Sequence, residues 1–118
     1  MTQLKLGLYG IESTLQDFQE CFGPGWSEII RQLVVDLTEL GWDGIALQIK
    51  EKFGGLRIYL GEYATEEMLK LVYLAEAESL EICEECGQQG RLASLGWWLK
   101  TLCEAHAIEA VQRIKYEY

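Results

Sequence analysis

Three of the four cysteines and the single histidine of this chain lie between residues 83 and 106. Cys83 and Cys86 form one C-x-x-C pair, Cys103 and His106 form a C-x-x-H pair, and sixteen residues separate the two. Zn²⁺ takes four tetrahedral ligands from thiolates and imidazoles, and structural zinc sites use this type of paired spacing. A C-x-x-C turn lets two sulfurs converge on one ion, and Gly87 directly after it eases the tight turn. The stretch "EAHAIEAVQRIKYEY" reads as a helix with Ile108 and Val111 on one face. Cys103 and His106 then fall at its start, three residues apart and on one side. The reading is one structural Zn²⁺ held by Cys83, Cys86, Cys103 and His106. Cys21 has no paired spacing and reads as a core residue.

Other chemistry finds little support in these residues. A catalytic zinc keeps an open position beside three protein ligands, whereas four ligands close the shell. The zinc deaminases need H-x-E with P-C-x-x-C; here Ile82 precedes Cys83 and there is no H-x-E. No second histidine exists for a Cys/His or Ser/His device. A dithiol redox use of Cys83 and Cys86 is disfavoured, because Glu81, Glu84 and Glu85 raise neighbouring thiol pKa values. Gly54-Gly55 lies between strand-like runs and opens no helix, so it is not a phosphate loop. The chain reads as a non-enzyme.

The elements that must position these ligands read as an α+β fold, with N-terminal helices, a central antiparallel β-hairpin, an acidic helix and a C-terminal treble-clef zinc finger. A length of 118 residues suits a single domain spanning 1–118, with residues 83–118 as the zinc-finger subregion within it. "STLQDFQECF" suggests a short helix capped by Ser13, and "GPG" at 23–25 then breaks the chain. From Trp26 the apolar residues Ile29, Ile30, Leu33, Val34 and Leu37 keep helical spacing to about Gly41. A second helix runs from its cap Thr65 to about Leu80, with Leu69, Val72, Tyr73 and Leu80 as the expected buried stripe. "GRLASL" and "LKTLC" alternate like strands around "GWW". A knuckle, a hairpin and a helix donating the last two ligands make up a treble clef. Trp97 and Trp98, adjacent on a strand, would point to opposite faces, one into the core and one outward.

Between the helices, "GIALQIKEKFGGLRIYLG" reads as two strands joined at Gly54-Gly55. That turn pairs Phe53 with Leu56. One face then carries Ile45, Leu47, Ile49, Glu51, Phe53, Leu56, Ile58 and Leu60. The other carries Gln48, Lys50, Lys52, Arg57 and Tyr59, with Lys52 opposite Arg57.

The net charge of −9 is uneven. Residues 62–86 hold eight carboxylates and one cation, net −7, whereas residues 45–61 hold three cations and one carboxylate, net +2. Such a surface repels phosphate backbones over most of its area and suits a basic protein partner. Glu78, Glu81, Glu84 and Glu85 are the expected contact carboxylates, and Lys50, Lys52 and Arg57 a second patch of opposite sign. "MTQLKLGLYGIESTL" shows no leader pattern, and no run approaches a membrane span. The expected location is cytoplasmic, where reduced thiols favour metal over disulfides.

"IKEKFGGLRIYL", the acidic "AEAESLEICEECG" and "GR…GWWLKTLCEAH" together resemble a group of small uncharacterised zinc-binding proteins of phages and bacteria. The resemblance covers roughly residues 26–107. It implies a treble clef with the four ligands named above, and no activity. The functional expectation is a zinc-stabilised protein that acts through protein–protein contacts, in one form a phage-type inhibitor of a bacterial defence system such as an anti-CRISPR. The alternative is a nucleic-acid-binding zinc finger. That reading would use Lys50, Lys52, Arg57, Arg91 and Lys100, with Tyr59, Trp97 and Trp98 as stacking groups.

Overall fold

The computed structural model describes residues 5–8, 11–14, 22–96 and 98–117. Among these residues the fold class is α+β, built from three α-helices and three two-stranded antiparallel sheets. Strands β1 (Lys5–Leu8) and β2 (Ile11–Thr14) form an N-terminal hairpin, and β1 lies alongside the third strand. This corrects the expected helix from Ser13, since Ser13 and Thr14 belong to β2. The rest of that segment, with Cys21, lies outside the described residues apart from Phe22.

A short 3-10 turn at Pro24–Trp26 leads into helix α1 (Ser27–Glu39). Its apolar residues recur every three to four positions. Ile29, Ile30, Leu33, Val34 and Leu37 are buried accordingly, together with Trp26. The helix stops in a Schellman arrangement. Gly41 takes the left-handed φ of 92°, and the N–H groups of Gly41 and Trp42 donate to the carbonyls of Thr38 and Leu37 at 3.0 Å each.

The central hairpin pairs β3 (Ala46–Lys52) with β4 (Gly55–Leu60). The turn is Phe53-Gly54, not Gly54-Gly55. Both residues have positive φ, 54° and 83°, the signature of a type I′ turn. The register therefore moves by two residues from the expected one. Glu51 faces Leu56, Lys50 faces Arg57 and Lys52 faces Gly55. A shift of two preserves face membership, so Gln48, Lys50, Lys52, Arg57 and Tyr59 still share one side. A register irregularity between Ala46 and Gln48 turns Ala46 inward and leaves Ile45 and Leu47 exposed. Phe53, expected on the apolar face, is exposed at the turn.

Helix α2 (Glu66–Ser79) starts where Thr65 Oγ1 accepts from the Met68 N–H at 3.2 Å. Its buried stripe is Met68, Val72, Ala75 and Ser79, whereas Tyr73 and Leu80 are exposed. The small residues on the inner face let α2 approach β4 closely enough for side chains to bond its backbone. Ser79 Oγ accepts from the Leu56 N–H at 2.9 Å, and Glu76 Oε2 accepts from the Ile58 N–H at 3.0 Å. The outer edge of the two-stranded sheet is thus satisfied by a helix.

Strands β5 (Arg91–Leu95) and β6 (Trp98–Leu102) form the next hairpin, and helix α3 (Glu104–Glu117) follows it. Two cores result. The larger joins α1, α2 and the β3–β4 hairpin. The smaller holds Cys83, Leu95 and Leu102, with Ala107, Ala110 and Ile114 of α3 against them; Ile108 and Val111 are exposed. Among the described residues, no helix is long and apolar enough to cross a membrane.

Candidate metal centre

Cys83 and Cys86 sit in the tight turn after α2. The Gly87 N–H donates to the Cys83 carbonyl at 2.9 Å, and the Cys83 N–H donates to the Gln88 carbonyl at 2.7 Å. Gly87, at φ 81°, takes the left-handed position this turn requires. Cys103 sits at the head of α3, where its carbonyl accepts from the Ala107 N–H at 2.9 Å. His106 follows one turn on, so its ring returns toward the Cys103 sulfur.

These elements bring all four donor atoms within 4.8 Å of one another. Nδ1 of His106 lies 3.2 Å from Cys103 Sγ and 3.6 Å from Cys83 Sγ, and the sulfurs of Cys86 and Cys103 are 3.8 Å apart. Cys83, Cys86 and Cys103 are free thiols. Their spacing fits an ion: zinc–sulfur bonds of about 2.3 Å in a tetrahedron put neighbouring sulfurs about 3.8 Å apart. The four side chains therefore form a cluster able to hold one metal ion. Cys83 is fully buried, Cys103 and His106 half-buried, and Cys86 open to solvent. The backbone N–H of His106 lowers the Cys103 thiol to about 7, opposed by burial and aided by the His106 ring, and so favours the thiolate that a metal needs.

What holds the cluster in place was not visible in the motif. Gly23 and Gly25 press directly on the knuckle. A Cβ on Gly25 would lie 2.0 Å from the Cys83 carbonyl oxygen, and one on Gly23 would lie 2.2 Å from that of Glu84. The Gly25 N–H donates to the Glu84 carbonyl at 2.7 Å, and Trp26 Nε1 donates to the Ile82 carbonyl at 2.9 Å. "GPG" is therefore a docking platform as well as a break. On the other side, Thr101 Oγ1 donates to the Gly54 carbonyl at 2.7 Å, and the Glu84 N–H donates to the Thr101 carbonyl at 3.0 Å. A Cβ on Gly54 would meet Leu92 Cδ1 at 2.5 Å. The tip of the β3–β4 hairpin thus seats on β5–β6.

The candidate contact residues divide. Glu78 and Glu81 are exposed, and so is Glu85, at 3.6 Å from Lys100 Nζ. Glu84 is not: it is 4% exposed and paired with Lys100 at 3.2 Å. Burial raises its pKa, opposed by the bond and charge of Lys100 and reinforced by Glu51 and Glu85. Its Oε2 has no hydrogen-bond partner among the described residues. The expectation of Glu84 as a surface contact is therefore corrected, because the knuckle that presents Cys83 turns the next side chain inward. Lys100 is equally committed, lying 4.8 Å above the Trp98 ring. Trp98 is exposed, whereas Trp97 lies outside the described residues. No protein-family model matches the chain, and no curated protein or solved structure matches it.

Proposed function

We propose that this chain is a non-enzymatic, zinc-stabilised binding protein that works by contact with a basic protein partner. In this reading the metal is Zn²⁺, the knuckle, β5–β6 and α3 form a treble clef, and Cys83, Cys86, Cys103 and His106 fill the coordination shell. A shell filled by protein leaves no position for substrate, which supports a structural role.

The observation that carries the contact role is the outer side of α2. A surface helix normally buries one stripe and offers charge on the other. Here Tyr73 is 62% exposed and Leu74 68% exposed, with exposed Ala77 beside them, on the side of α2 away from the buried stripe. Exposed Glu66, Glu67, Glu78 and Glu81 surround them, with Lys70 the one cation of the patch. An apolar centre within an acidic ring suits a partner of matching shape and opposite charge, drawn in by steering. The same ring disfavours self-association through this face. A phage-type inhibitor of a defence complex is one such binder, supported by the net charge of −9.

The test compares the wild-type chain with Leu74→Glu and with the combined Glu66→Lys, Glu78→Lys, Glu81→Lys variant. A partner recovered from the native host is purified and re-bound as a single component. Both variants should lose the partner while keeping about one zinc per chain. Full retention of binding by both would refute the assignment.

A further inference from the structure

The β3–β4 hairpin bears two features that its folding does not require. Phe53 occupies the first turn position at φ 54° with its side chain 70% exposed. Bulky residues in this backbone region are outliers, and Asn, Asp or Gly fill type I′ turns without that strain. Exposed as it is, the ring recovers little by burial. The second feature is Lys50 directly opposite Arg57. Like charges across a ladder destabilise it. Neither these two nor Lys52 forms an ion pair with a described carboxylate, whereas Arg31, Lys100 and Arg113 each do.

Both features belong to one strip. Lys50 Nζ lies 5.9 Å from the Tyr59 ring centroid, and Lys52 Nζ lies 5.6 Å from that of Phe53. Register puts Tyr59, Lys50, Arg57 and Lys52 on the same side. Three cations therefore lie between two exposed rings, Tyr59 at one end and Phe53 at the turn, over about 16 Å of strand at about 3.3 Å per residue.

We propose that this strip binds single-stranded nucleic acid, with Lys50, Lys52 and Arg57 on phosphates and Phe53 and Tyr59 stacking on bases. Single-strand binders combine a basic track with stacking rings, and a duplex offers no free base faces to those rings. The strip is separate from the outer side of α2 and independent of that reading. The acidity of the remaining surface confines phosphate contact to the hairpin and makes binding strongly salt-dependent.

The test is fluorescence anisotropy of a short fluorescein-labelled oligodeoxythymidine with the full zinc-loaded chain. Saturable binding that weakens with salt is expected. Phe53→Asn should weaken it about tenfold by removing one stacking ring, with the melting temperature held or raised because Asn tolerates the left-handed turn. Arg57→Gln should reduce the salt slope by about one. Leu74→Glu should leave this binding unchanged, which separates it from the protein-partner surface. The inference is overturned if the folded wild type fails to bind at low salt, if Phe53→Asn binds like wild type, or if a duplex of equal length binds as tightly.

Discussion

The candidate ligand residues and the glycines that brace them differ in how far sequence discloses them. Residue types and spacing identify Cys83, Cys86, Cys103 and His106, because two-residue gaps in a turn and at a helix head bring donors together locally. Gly25 carries no such local signal. Its need for hydrogen in place of a Cβ comes from the Cys83 carbonyl, 58 positions away in sequence. Gly25→Ala should therefore act like overpacking, at about 3 kcal/mol, the upper end of such costs. It should also loosen the metal, since the obstructing atoms belong to the knuckle itself. Gly41→Ala is the control: a Cβ there meets nothing within 4 Å, and only the φ of 92° resists it, at about 1–2 kcal/mol. Urea denaturation and a chelator competition assay would show both variants destabilised and only Gly25→Ala releasing zinc more readily. Glu84 was equally hidden. Its place in an acidic run suggests solvent, but the knuckle turn and Lys100 bring it inside.

At the scale of elements, legibility follows how strongly one face dominates. Helix α1 keeps Ile29, Ile30, Leu33, Val34 and Leu37 on one stripe and leaves only Val35 of its larger apolar residues exposed, so its buried set is read directly from spacing. Helix α2 is apolar on both sides, and its larger residues, Tyr73 and Leu80, misdirect the choice. The face that packs is the one small enough to meet β4, with Ala75 and Ser79. The hairpin lies where the alternating runs predict, but its register is set by Phe53 accepting a positive φ, which propensity disfavours. Because the displacement was two residues, the basic face survived it. The joint between these elements rests on Ser79, whose Oγ accepts from the Leu56 N–H and donates to the Glu76 carbonyl at 2.6 Å. Ser79→Ala removes the acceptor and leaves a buried N–H unpaired, a loss of about 1–3 kcal/mol. The expected result is a lower urea midpoint with an unchanged slope and about one zinc per chain. A midpoint equal to wild type would mean that the sheet edge finds another acceptor.

Across the whole molecule, the candidate metal centre lies at a junction of three elements. The α1 approach reaches the knuckle through Gly25 and the Trp26 indole, the central hairpin reaches it through Gly54 and Thr101, and α3 supplies His106. Among the described residues, the smaller core around it buries Cys83, Leu95 and Leu102, too little apolar burial to order residues 83–118 alone. Structural zinc contributes an apparent 10–16 kcal/mol or about that, comparable with whole-domain stabilities of about 5–15 kcal/mol. Chelation should therefore do more than unfold residues 83–118. Trp26, fully buried with its indole bonded to the Ile82 carbonyl, should lose its environment at the same chelator concentration. Near-UV circular dichroism, tryptophan fluorescence and amide exchange in α1, followed together during chelator titration, should change in one transition and return on adding zinc. If α1 keeps its exchange protection while the finger unfolds, the contacts at Gly25 and Gly54 are passive packing, and the two cores fold as separate units.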